Sequence, residues 1–168
     1  MKHALALPLV SPQVALSQTE AVPFIHEKLY ALPSGKKVAV QFRERACMPN
    51  EGREVDESVW GMNDGVRRLV TAVLRVSING KEFAFPQKFY RDLANTHRVN
   101  VTERQGRVIV ELKGGEAAGK YSARFLLGGS CGFERHVCGE VCTEIWERTT
   151  WQNSFIYEAE PKCRSDIN

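Results

Sequence analysis

From Phe24 onward, apolar residues recur at every second position in short runs separated by Gly, Asn, Ser or Pro, the pattern of half-buried β-strands. Residues 37–43, Lys-Val-Ala-Val-Gln-Phe-Arg, alternate strictly and follow a Pro33-Ser34-Gly35 turn. In residues 69–85, Val70, Ala72, Leu74, Val76 and Ile78 share one face, and Asn79-Gly80 follows at once. Asn-Gly between alternating runs predicts a hairpin, because both turn positions require positive φ. A two-residue loop there sets Val76 opposite Phe83 and Leu74 opposite Phe85, so the apolar sets fall on one side. Gln105-Gly106 passes the same test: Val101 faces Val110, Val99 faces Leu112, and Glu103 faces Val108.

Between these hairpins, residues 86–95 read as one short helix opened by Pro86, with Phe89 and Leu93 spaced i, i+4 and Asn95 as its stop. Tyr121, Ala123, Phe125 and Leu127 give a further strand ending at Gly128-Gly129. Residues 134–149 fit two patterns. Val137, Cys138, Val141, Cys142, Ile145 and Trp146 recur at helical spacing, whereas Gly139 inside a helix costs about 1 kcal/mol and the Thr- and Trp-rich end is strand-like. Two strands around a Gly139-Glu140 turn are the preferred reading. Residues 47–64, aperiodic and rich in charge and Gly, read as a long surface loop. The fold class is therefore mostly β, an antiparallel sandwich or open barrel of short strands with one short helix at about residues 86–95. A single β-rich domain over residues 21–160 is expected, preceded by an unstructured segment or weak signal peptide over residues 1–20 and followed by a tail over residues 161–168.

Composition agrees with a folded domain: of 168 residues, 43% are hydrophobic and 26% charged. The net charge of +3 arises from 23 basic and 20 acidic residues that mostly alternate along the chain, which argues against a nucleic-acid partner. No apolar run reaches the ~20 residues of a membrane span. Met1-Lys2-His3, the apolar residues 4–10 and Ala15-Leu16-Ser17 sketch the basic, apolar and small-residue succession of a secretory signal, interrupted by Pro8 and Pro12, so a periplasmic or secreted location is slightly favoured over a cytoplasmic one. The five cysteines, Cys47, Cys131, Cys138, Cys142 and Cys163, cannot all pair within one chain.

Several segments imitate active-site motifs. Residues 114–120 match the G-x-x-x-x-G-K phosphate loop, but Tyr121 stands where a Ser or Thr must reach Mg²⁺, and a strand rather than a helix follows. Residues 128–132 match the G-x-S-x-G elbow around Ser130, with only His136 beyond it to act as base. Cys131, His136, Cys138 and Cys142 are dense in metal-ligand atoms yet lack paired zinc knuckles, so Cys131, Cys138 and Cys142 are read as a disulfide or thiol cluster. His26 and His97 have no catalytic companion at a telling spacing; Asn100-Val101-Thr102 fits a glycosylation acceptor within a strand; Trp60, Trp146 and Trp151 are read as core. No catalytic residue, metal or cofactor is expected, and no ligand-binding residue is identified. With no complete catalytic set, the expectation is a non-enzymatic binding protein of the inhibitor or immunity-partner type acting on another protein. The alternatives are a small-ligand carrier with an aromatic-lined β-barrel mouth and an enzyme using Lys120 or Ser130.

Overall fold

The computed structural model describes residues 22–48, 59–61, 69–83, 85–128 and 132–152. The N-terminal segment, Ser130, Cys131 and the C-terminal tail, each singled out above, lie outside the described residues. Nine strands are described: β1 (Ile25–Ala31), β2 (Lys37–Ala46), β3 (Leu69–Ile78), β4 (Lys81–Phe83), β5 (Thr96–Arg104), β6 (Arg107–Gly114), β7 (Tyr121–Leu127), β8 (Gly132–Cys138) and β9 (Ile145–Gln152). They form two antiparallel meanders, a four-stranded sheet in the order β1-β2-β3-β4 and a five-stranded sheet in the order β5-β6-β7-β8-β9. The sheets remain separate and face each other across one apolar core, which decides for the sandwich over the open barrel.

Period-2 patterning explains the core. Val38, Val40 and Phe42 from β2 and Leu74 and Val76 from β3 face Val108, Val110 and Leu112 from β6 and Ala123, Phe125 and Leu127 from β7, all essentially buried. Both hairpin turns have positive φ at both positions, 51° and 80° at Asn79 and Gly80 and 51° and 75° at Gln105 and Gly106, the geometry that matches strand twist. Their registers are Val76↔Phe83 in the first and Val99↔Leu112, Val101↔Val110 and Glu103↔Val108 in the second. The expected Leu74–Phe85 pair is not among the ladder pairs, because β4 ends at Phe83. Pro86, which has no N–H to donate, follows, and Phe85 turns into the core beside Phe83, Phe125 and Phe133.

The short helix expected at residues 86–95 is a correction. Only a single 3-10 turn, Gln87–Phe89, forms there. The segment is the crossover from one sheet to the other, and tertiary bonds claim its backbone: Ala94 N–H donates to Trp60 O, and Trp60 N–H donates to Asp92 O. Leu93 O accepts from both the N–H and the hydroxyl of Thr71. A helix over these residues would take the Ala94 N–H from Trp60 and turn the Asp92 and Leu93 carbonyls away from Trp60 and from Thr71 of β3. Residues 134–149 resolve as the two-strand alternative, β8 and β9 joined through residues 139–144.

Candidate functional site

Each strand of the five-stranded sheet presents one row of side chains to the core and one to the outside, and the two rows carry different charge chemistry. On the inner side, Phe133, Arg135 and Val137 of β8 point the same way, so a guanidinium stands on the core side of the sheet at 3% exposure. Arg135 donates to Asp92 through two nitrogens at 3.0 and 2.5 Å and to Phe89 O at 3.0 Å, with Glu147 3.7 Å away. It therefore ties the crossover to β8. Burial pushes the Asp92 carboxyl above its ordinary range, opposed by the hydrogen bonds and charge of Arg135. Nearby, Trp146 stacks on Trp60 with ring centroids 5.7 Å apart.

A second buried polar group closes the neighbouring corner. Glu44, 5% exposed at the bulge of β2, accepts from Thr96 N–H at 2.6 Å and Phe24 N–H at 3.3 Å. Its carboxyl is raised above the usual value by burial, which those two donors only partly offset. The Thr96 hydroxyl and the buried Tyr121 hydroxyl are 2.8 Å apart, and burial foremost raises the Tyr121 phenol well above its ordinary range.

The phosphate-loop lookalike finds its explanation at the same ring. A Cβ on Gly114 would stand 2.5 Å from Tyr121 Cε1, and one on Gly115, at φ +75°, 2.1 Å from Gly119 O, so glycine is required by packing. Only a 3-10 turn, Ala117–Gly119, separates β6 from β7, and Lys120 pairs with Glu140 at 3.1 Å. Cys138 and Cys142 form a disulfide across the β8–β9 turn, Cα atoms 4.9 Å apart; the third member of the expected cluster, Cys131, is outside the described residues. Among the described residues no three His, Cys, Asp or Glu side chains converge as metal ligands, and no helix is long and apolar enough to cross a membrane. His26 bonds the Tyr30 hydroxyl at 2.8 Å, and burial, then the Lys28 charge, lowers its pKa; His97 is exposed at a bulge of β5. Asn100 is half-buried opposite Glu111.

On the outer side, Glu111 accepts from Ser122 and from Arg124 Nε, each at 2.8 Å. Glu134 accepts from two Arg107 nitrogens at 3.0 Å and lies 3.1 Å from His136 Nε2. Burial alone would raise both carboxyls, but Arg124 with Ser122, and Arg107 with His136, hold them below the usual carboxylate range. One end of this face is covered by residues 139–144, where Lys113 Nζ donates to Glu140 O at 3.2 Å; the otherwise outward Ser122 and Cys138 are buried there.

That covering turn carries the most exposed apolar group of the sheet. Val141 is 79% exposed, Trp146 50% and Ile145 41%. Ile145 pairs with Cys138 and Glu147 with Val137, which leaves Trp146 as the extra residue of a β-bulge, aimed sideways onto Trp60. Of the three tryptophans read as core, Trp151 packs against Phe133 and Trp60 packs partly buried, while Trp146 remains half open. The phenylalanines fill the interior: Phe133 meets the rings of Phe83, Phe85, Phe89, Phe125 and Trp151 at centroid distances of 5.0–6.1 Å. The hollow on the four-stranded sheet, about 580 Å³, is open and lined by groups such as Glu27, Leu29, Gln41, Arg75 and Ser77, with no aromatic ring.

Arg135 was missed in the sequence because the helical grouping of Val137, Cys138, Val141 and Cys142 passed over it. Period 2 from Phe133 to Val137 is the signal that places it inside. Comparison with protein-family models, with curated proteins and with solved structures finds no match.

Proposed function

We propose that this chain is a non-enzymatic binding protein of the inhibitor or immunity-partner type, whose contact with another protein centres on the β8–β9 turn. The observation that carries this reading is the exposure of Val141, Ile145 and Trp146 on a turn held by the Cys138–Cys142 disulfide and by the Trp60–Trp146 stack. An apolar group with a tryptophan, held in place before encounter, loses little conformational freedom on binding, and tryptophan and arginine are the side chains most often dominant at interfaces. Arg148, exposed two residues along β9, supplies the charged rim.

The test is capture of a partner from native extract on the immobilised protein, beside a Val141→Asp, Ile145→Asp variant. Both positions are exposed, so the variant should fold normally. A stoichiometric partner retained by the parent and lost by the variant is the expected result. Equal retention by both, or no stoichiometric protein at all, sinks the proposal.

A further inference from the structure

Basic residues far apart in sequence converge on the outer face of β5–β9. The ladder sets Arg98 directly opposite Lys113 and Arg104 directly opposite Arg107, two like-charge cross-strand pairs at the two ends of one hairpin. Arg124 and Arg148 lie in the same outward row, on either side of His136. Glu111 and Glu134 are the only acidic side chains among the outward positions of these strands, and both are already engaged, by Arg124 and Arg107. Among the described residues Arg98, Arg104 and Arg148 have no ion-pair partner, and all three are exposed. Like charges facing each other across strands are destabilising, so folding alone does not account for this arrangement.

We propose that this face receives an acidic surface of the partner protein, a reading that rests on the protein-binding function above and names the chemistry of the partner. The pattern suits a folded acidic protein better than a nucleic acid for two reasons. Glu111 and Glu134 stand at the centre of the face, where a continuous phosphate backbone would meet them. Ile109 and Leu126, half-buried neighbours in one outward row, offer apolar contact, while no Phe, Tyr or Trp stands among the basic positions to stack bases. Charge complementarity of this sort raises the association rate and rejects basic partners.

The experiment titrates the full chain with a short polyglutamate peptide, and separately with a single-stranded oligonucleotide of equal charge, following backbone amide shifts by NMR. Polyglutamate is expected to shift amides of β5–β9 saturably, and a triple reversal, Arg98→Glu, Arg104→Glu, Arg148→Glu, to weaken it by at least about tenfold. A control reversal on the other sheet, Lys28→Glu, Lys37→Glu, Arg75→Glu, makes the same change in net charge and should leave the affinity nearly unchanged. Shifts located elsewhere, equal losses in the two triple variants, or an oligonucleotide that outcompetes polyglutamate at physiological ionic strength would each overturn the proposal. If polyglutamate fails while partner capture still depends on Val141 and Ile145, the binding function stands and only the acidic chemistry of the partner falls.

Discussion

The inner and outer faces of the five-stranded sheet both hold arginines against carboxylates, yet they stand in opposite electrostatic regimes. Inside, Arg135 is 3% exposed and Asp92 has been carried into the protein with it. Outside, Arg124 at 36% exposure bonds Glu111, whose side chain is no more exposed than that of Asp92, so the two pairs differ chiefly at the arginine. Burial raises the carboxyls of Asp92 and Glu44, whereas the outer ones, Glu111 and Glu134, are lowered because their donors together outweigh the desolvation that acts on them too. The difference teaches that an ion pair's role follows from its surroundings more than from its distance. The inner pair ties the crossover to β8, and the outer pairs link strands across the outer face.

Removing one member should break this symmetry most visibly at Arg135. Arg135→Met leaves Asp92 buried without its partner and should cost about 3–5 kcal/mol, read by chemical denaturation. Glu44→Gln comes next, at about 1–3 kcal/mol, since an amide can accept from only one of the Thr96 and Phe24 N–H groups and opposes the other.

The pH dependence of that variant sharpens the contrast. Because Glu44 has a raised folded pKa, the native state binds its proton more readily than the unfolded chain. Its contribution to stability is fully present below the ordinary carboxylate range and is lost as pH rises from that range through its raised folded value. Glu111 and Glu134, with lowered folded values, contribute stability above that range and lose it as pH falls through their folded values. Thermal unfolding followed through mild acid should therefore show Glu44→Gln to be more acid-sensitive than the parent and Glu111→Gln less so. Slopes of the same sign in both variants would dissolve the distinction.

Smaller again is the disulfide. Replacing Cys138 and Cys142 by Ser should cost at most about 2 kcal/mol, because the loop it closes is short. Its main effect should be faster hydrogen exchange confined to residues 139–144, which lift from the outer face. The smallest change is Arg124→Met, about 1 kcal/mol, because the arginine of this pair keeps access to water. A loss there as large as that of Arg135→Met would show that the two faces are not electrostatically different.

Much of the architecture was legible because alternation reports burial directly. The register of β5 with β6 follows from Val99, Val101, Val108, Val110 and Leu112 and the Gln105-Gly106 turn, all local information. The failures are equally specific. Residues 86–95 have helical spacing, but Thr71 and Trp60, remote in sequence, take their backbone groups. The bulge at Trp146 interrupts the period of β9, so the turn that presents Val141 and Ile145 looked as much like a helix as a hairpin.

By itself, then, the sequence determined an antiparallel β domain and the inward rows of its central strands. Alternation and turn chemistry act between neighbours in the chain, so they can be read from it. Only the tertiary structure decided that the meanders close as a sandwich, that Arg135 meets Asp92, and that scattered basic residues gather on one face. Charges that alternate along the chain are sorted by the pleat to opposite sides of the sheet, and antiparallel pairing then aligns those of one sign, Arg98 with Lys113 and Arg104 with Arg107, across strands.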